Sequence, residues 1–66
     1  MTVWVNGNAR ELAVEVTIEA LVDELAPWRR GVAVALNGAV VPRGDWPATV
    51  LVAGDRVEVL AAVQGG

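Results

Sequence analysis

The chain has 66 residues, of which 55% are hydrophobic and 20% charged, and this composition predicts one small globular domain with a single core. Histidine and cysteine are absent, which excludes thiol chemistry and removes the usual zinc ligands and general base, so we expect no self-contained hydrolase, no metal site and no bound cofactor. The net charge of −3, with no lysine, argues against nucleic acid as a partner, because that binding depends on neutralising phosphates.

The first 16 residues predict an N-terminal β-hairpin. Residues 3–5 form an apolar strand that ends at Asn6-Gly7, a dipeptide favoured in tight hairpin turns. In residues 10–16, apolar side chains at 12, 14 and 16 share one face, with Glu11 and Glu15 on the other, and this period of two indicates a second, half-buried strand.

A helix is predicted next, with Thr17 as its N-cap, because a threonine hydroxyl accepts a hydrogen bond from an amide of the first turn. Pro27 disfavours helical geometry at Ala26 and ends the helix. One apolar stripe has the spacing of an amphipathic helix, and it consists of Ile18, Leu21, Val22 and Leu25.

The second half of the chain predicts three more strands. Residues 32–36 alternate valine or leucine with alanine, and Asn37-Gly38 turns the chain into a brief strand at 40–41. Trp46 is expected to be a buried apolar side chain beneath an irregular stretch. Residues 56–63 are predicted to form the last strand.

These elements predict an α+β fold of the ubiquitin-like β-grasp type, with a mixed sheet of four to five strands and one covering helix. The domain is expected to span residues 1–63. Residues 64–66, here called the C-terminal tail, are expected to be flexible because they offer little to bury.

The carboxylate of Gly66 is the candidate reactive group, since side-chain nucleophiles and bases are so scarce. Gly65 beside it has no Cβ and can pass through a narrow opening in another enzyme. Residues 63–66 span at most about 14 Å when extended, which is enough to carry the carboxylate into a neighbouring pocket. A carboxylate becomes reactive after AMP is transferred to it from ATP, and the chain would then be a carrier and its partner the catalyst.

Four segments together resemble one known family, and the resemblance extends over essentially the whole chain. They are Asn37-Gly38, Val41-Pro42-Arg43-Gly44-Asp45-Trp46, Gly54-Asp55-Arg56-Val57-Glu58-Val59 and Val63-Gln64-Gly65-Gly66. In combination they resemble the sulfur carriers of thiamine biosynthesis, the ThiS family. Gln64 departs from that pattern, because small or apolar residues are frequent before the two glycines.

The resemblance implies a carrier rather than an enzyme. A ThiF-type partner would use ATP to adenylate Gly66, and a sulfur donor carrying a persulfide would convert the adenylate to a thiocarboxylate. Thiazole synthase, ThiG, would then take the sulfur for the thiazole ring. The expected location is the cytoplasm, without a membrane partner, since no apolar run approaches the roughly 20 residues of a membrane span.

A docking surface is expected on the side of the sheet that faces away from the helix, because strand residues alternate between the two faces. We expect this surface to be a contiguous apolar patch that serves the activating enzyme and thiazole synthase, since monomers seldom expose such patches without a use. Its expected members are Trp4, Ala33, Ala35, Leu60 and Ala62.

Three alternatives remain open from the sequence. The first is a sulfur carrier for another pathway, either the small subunit of molybdopterin synthase or a carrier in cysteine synthesis. The second is a ubiquitin-like protein modifier. The third is an interaction module in which the terminal glycines take part in no reaction.

Overall fold

The computed structural model describes residues 1–28 and 30–61, and the described part holds five strands, one α-helix and one 3₁₀ helix. In chain order they are β1 (Thr2–Val5), β2 (Asn8–Glu11), α1 (Ile18–Leu25), β3 (Val32–Leu36), β4 (Ala39–Val41), the 3₁₀ helix (Arg43–Ala48) and β5 (Arg56–Ala61).

The five strands form one mixed sheet in the order β2-β1-β5-β3-β4. The central strand β5 runs parallel to β1 and antiparallel to β3, and both hairpins are antiparallel. With α1 over one face, this arrangement is the ubiquitin-like β-grasp that the sequence predicts, so the fold prediction is confirmed.

Both hairpin turns use an Asn-Gly pair in the left-handed region. The φ angles are 51° and 83° at Asn6 and Gly7, and 50° and 86° at Asn37 and Gly38. Positive φ at both central residues defines the turn whose twist matches that of the flanking strands. The two predicted turns are therefore confirmed.

The predicted second strand at residues 10–16 is wrong. Strand β2 begins directly after the turn at Asn8 and ends at Glu11, which pairs with Thr2 at the start of β1. Leu12 still exchanges two hydrogen bonds of 2.8 Å with Met1, after which the chain leaves the sheet, and Val14 is 73% exposed in a turn. Alternation in residues 12–16 therefore does not correspond to a strand.

Helix α1 begins and ends close to the predicted residues. The Thr17 hydroxyl accepts a hydrogen bond from the Ala20 amide at 3.1 Å, which confirms the predicted cap. Ile18, Leu21 and Val22 are buried against the sheet. A helix of eight residues is marginal alone, so this packing stabilises it.

Trp46 closes the core from the 3₁₀ helix and is only 1% exposed, as predicted. Its indole Nε1 donates a hydrogen bond to the Val41 carbonyl at 2.9 Å, which satisfies the polar end of a buried ring. The guanidinium carbon of Arg43 lies 5.2 Å from the centroid of the ring. The largest of the other fully buried side chains are Ile18, Leu21, Leu51, Val3, Val22, Val34 and Val57.

Candidate functional site

The central strand β5 leads directly to the candidate reactive group. It lies between β1 and β3, and residues 62–66 follow Ala61 in the sequence. Gly65, Gly66 and the predicted tail at 64–66 lie outside the described residues, as does Ala62. Five residues span at most about 18 Å when extended, so the Gly66 carboxylate lies within that distance of the end of β5.

The start of β5 is fixed by Asp55 and Asn37. Asp55 is nearly buried, and its carboxylate accepts hydrogen bonds from the Val52 amide at 2.8 Å and from Asn37 Nδ2 at 3.1 Å. Asn37 Oδ1 in turn accepts from the Arg56 amide at 2.9 Å. The β3–β4 turn therefore holds the first residue of the strand through a side-chain amide.

The second half of β5 is held in the same way by Asn6, from the opposite side. The Asn6 side chain donates through Nδ2 to the Val59 carbonyl at 3.2 Å and accepts through Oδ1 from the Val59 amide at 2.9 Å. Its backbone amide also donates to the Val57 carbonyl at 2.9 Å. Sequence reasoning identified Asn6 and Asn37 only as turn residues and missed both contacts with β5.

The outer face is the side of the sheet opposite α1, and it carries the predicted docking residues that the structure describes. Trp4 and Leu60 are 44% and 64% exposed there, and Ala33, which pairs with Leu60, is exposed as well. Ala35 is half-buried on the same face. Val40, opposite Ala35 on β4, is 77% exposed and extends the face beyond the predicted set.

The expectation of a contiguous apolar patch needs a correction, because two charged residues lie within it. Arg56 pairs with Trp4, and Glu58 pairs with Ala35, so both side chains point outward. Together with Trp4 and Leu60 they line an open groove of about 720 Å³. The alternation that places Leu60 outward also places Arg56 and Glu58 outward, so the sequence contained this signal.

The environment of Glu11 lowers the pKa of its carboxylate, which lies on the edge strand β2. A hydrogen bond from the Thr2 hydroxyl at 2.7 Å and the N-terminal ammonium 3.0 Å away both lower the pKa of Glu11. Because the carboxylate stays charged at neutral pH and is separated from β5 by β1, it is not a candidate for acid–base chemistry at the tail.

Within residues 1–28 and 30–61, no three carboxylate side chains are grouped closely enough to hold a metal ion. No helix of the described part is long and apolar enough to cross a membrane.

Comparison with known proteins gives a consistent set of similarities. Residues 3–66 match the model of the ThiS family. The sulfur carrier protein ThiS of Thermus thermophilus is 39% identical over 64 residues, which cover 97% of this chain and 98% of that protein. A crystal structure of the thiamine biosynthesis protein ThiS from Geobacter metallireducens superposes with a TM-score of 0.84 at 33% identity, over 100% of both chains.

A longer protein also contains a segment similar to this chain. The thiazole synthase of Paramagnetospirillum magneticum is 35% identical over 66 residues, which are 100% of this chain. The chain spans only 20% of the length of that relative.

Proposed function

The chain belongs to the ThiS family, and on that premise we propose that it is a sulfur carrier whose Gly66 carboxylate is adenylated and then converted to a thiocarboxylate. The match of the family model through to residue 66 is the observation that carries this proposal. It includes the two glycines that present the carboxylate, and these follow the central strand by only a few residues.

Activation begins with the carboxylate, which is a poor electrophile as it stands. A carboxylate oxygen of Gly66 attacks the α-phosphorus of ATP in a ThiF-type partner, pyrophosphate leaves, and a mixed anhydride with AMP remains. The carrier itself contributes only the reacting carboxylate and the slender segment beside it, including Gly65.

Sulfur enters in a second step that also depends on partner groups. The terminal sulfur of a persulfide on the sulfur donor attacks the anhydride carbonyl, and AMP leaves. A thiol then reduces the acyl disulfide, so the thiocarboxylate is released as the two other sulfur atoms form a disulfide. This chain contains no cysteine, so every thiol in this sequence of steps belongs to a partner.

The recipient we propose is thiazole synthase, ThiG. Support comes from the thiazole synthase of Paramagnetospirillum magneticum, in which a segment similar to this chain belongs to the same polypeptide as the rest of that protein. A carrier joined to its recipient delivers its cargo at a high effective concentration, and separate chains achieve the same transfer by docking.

The outer face is the docking surface we propose for these partners. Trp4 and Leu60 offer exposed apolar area, and Arg56 and Glu58 between them offer charges that can fix the orientation of a partner. Since Leu60 lies near the end of β5, a partner bound to this face is close to the point where residues 62–66 begin.

Intact-mass analysis tests the proposal. The chain is incubated with a ThiF-type enzyme, ATP, a persulfide donor and a thiol, and a matched sample omits ATP. We expect an ATP-dependent mass increase equal to the replacement of one oxygen by sulfur, and its loss when ThiG and its other substrates are added.

Other outcomes would support the alternatives. Stable adducts with lysines of other proteins would indicate a modifier, and an unchanged mass would indicate an interaction module. Thiocarboxylate that forms but is consumed only by molybdopterin synthase or a cysteine-synthesis enzyme would indicate a carrier for that pathway. The chain has no lysine, so such adducts cannot be side-chain links between its own copies.

A further inference from the structure

The two edges of β5 are paired to different lengths. On the β3 side the register continues to the pair of Val32 with Ala61, at the end of the strand. On the β1 side it stops at the pair of Val5 with Val57, four residues earlier. Within residues 1–28 and 30–61, Asn6 supplies the last hydrogen bonds that β5 receives from the β1 side.

Asn6 suits this role because its side-chain amide carries a donor and an acceptor together. Both the amide and the carbonyl of Val59 are satisfied by this one group, as the backbone of a further β1 residue would satisfy them. Asparagine also tolerates the positive φ of 51° that the turn requires. The β1–β2 turn thus extends the pairing of β5 without extending β1.

We infer that Asn6 is a positioning residue for sulfur-carrier activation, an inference that rests on the proposed function. By holding Val59 in the sheet, it keeps Leu60 on the outer face and positions Ala61, after which residues 62–66 follow in the sequence. Without it, β5 beyond Val57 would be held on the β3 edge only, and its last residues would separate from the sheet more often. Fewer molecules would then present Leu60 and the tail together.

Asn37 provides the matched control within the same chain. It occupies the equivalent position of the other Asn-Gly turn, has a φ of 50°, and bonds the backbone of β5 through its side-chain amide. That bond, however, is at Arg56, the first residue of the strand. The two asparagines therefore differ in which end of β5 they hold.

The experiment compares Asn6→Gly with Asn37→Gly, because glycine keeps each turn conformation and removes only the side-chain bonds. ATP–pyrophosphate exchange by a ThiF-type enzyme is measured against carrier concentration. For Asn6→Gly we expect KM to rise about tenfold with kcat unchanged, since the loss of two hydrogen bonds lowers the population of the binding-competent form. For Asn37→Gly we expect a clearly smaller rise in KM, because its bonds to Arg56 and Asp55 lie at the end of β5 that is remote from the tail.

Hydrogen exchange supplies a second measurement that a general loss of stability does not reproduce. Under native conditions, Asn6→Gly should speed hydrogen exchange at the Leu60 amide, which pairs with β3 and which Asn6 does not bond directly, and Asn37→Gly should not. The inference would be overturned by equal KM values for Asn6→Gly and Asn37→Gly. It would also be overturned if Asn6→Gly showed faster hydrogen exchange but an unchanged KM.

If the proposed function itself is wrong, the wild type will show no ATP–pyrophosphate exchange, and this result is distinct from equal KM values of the two variants.

If Asn6→Gly does not fold at the assay temperature, Asn6→Asp replaces it, since aspartate tolerates the turn and retains the acceptor for the Val59 amide. We expect a smaller rise in KM for Asn6→Asp, and an unchanged KM would again overturn the inference.

Discussion

The two faces of the sheet are built from alternate residues of the same strands, yet their surroundings are opposite. Towards α1, Val3, Val34 and Val57 are almost fully buried. Away from it, Trp4 and Leu60 remain 44% and 64% exposed. A domain of this size has little apolar area to spare for its core, so large side chains left outside favour a use in binding. The inner face provides stability, and the outer face is available for partners.

Trp46→Ala is the largest expected effect, because it removes a fully buried ring from the inner side. We expect a loss of about 3–5 kcal/mol in the free energy of unfolding, which is most of the stability of a small domain. Urea unfolding followed by circular dichroism measures it. Trp4→Ala on the outer face is the control, with an expected loss below about 1 kcal/mol. Similar losses for the two variants would contradict the contrast between the faces.

Leu60→Asp tests the outer face directly and should act on binding rather than folding. We expect affinity for the ThiF-type enzyme to fall about tenfold or more, because a charge replaces apolar contact area at a docking surface. Titration calorimetry measures the affinity, and urea unfolding shows that stability is retained. Val14→Asp is the matched control, since Val14 is 73% exposed in a turn outside the sheet. Equal weakening by both variants, or none, would argue against docking on this face.

Glu11→Gln has the smallest expected effect on stability, because it changes an exposed contact at the edge of the sheet. The Thr2 hydroxyl and the N-terminal ammonium lower the pKa of Glu11 in the folded state. A carboxylate whose pKa is lower in the folded state stabilises the fold at pH values above its pKa in the unfolded state. This stability is lost as the pH falls through the pKa of the folded state. The wild type should therefore melt slightly above Glu11→Gln at pH 7, with the difference vanishing in acid. A difference in Tm that grows on acidification would contradict this assignment.

Local signals in the sequence predicted much of the fold. The Asn-Gly pairs identified both hairpin turns, and Thr17 with the apolar stripe identified α1, because these features depend on residues close together in the chain. The burial of Trp46 was correctly predicted for a different reason. A small core has few large side chains, so each of them is needed to fill it.

Features that depend on distant pairing were not predictable in the same way. Where β2 ends depends on its pairing with residues 1–5, and alternation in residues 12–16 gave a false strand. The bonds from Asn6 to Val59 join residues 53 positions apart and depend on the parallel alignment of β1 with β5. In the candidate site, strand alternation in the sequence was enough to predict that Trp4 and Leu60 point outward.

The most direct test of the central claim is tandem mass spectrometry of the last tryptic peptide, residues 57–66, after incubation with the ThiF-type enzyme, ATP, a persulfide donor and a thiol. Trypsin cleaves after Arg56, so this peptide contains the whole candidate reactive segment. The predicted result is sulfur in place of oxygen at Gly66, and no sulfur in a chain truncated before Gly65. Sulfur retained by the truncated chain, or found at any other residue, would contradict the account.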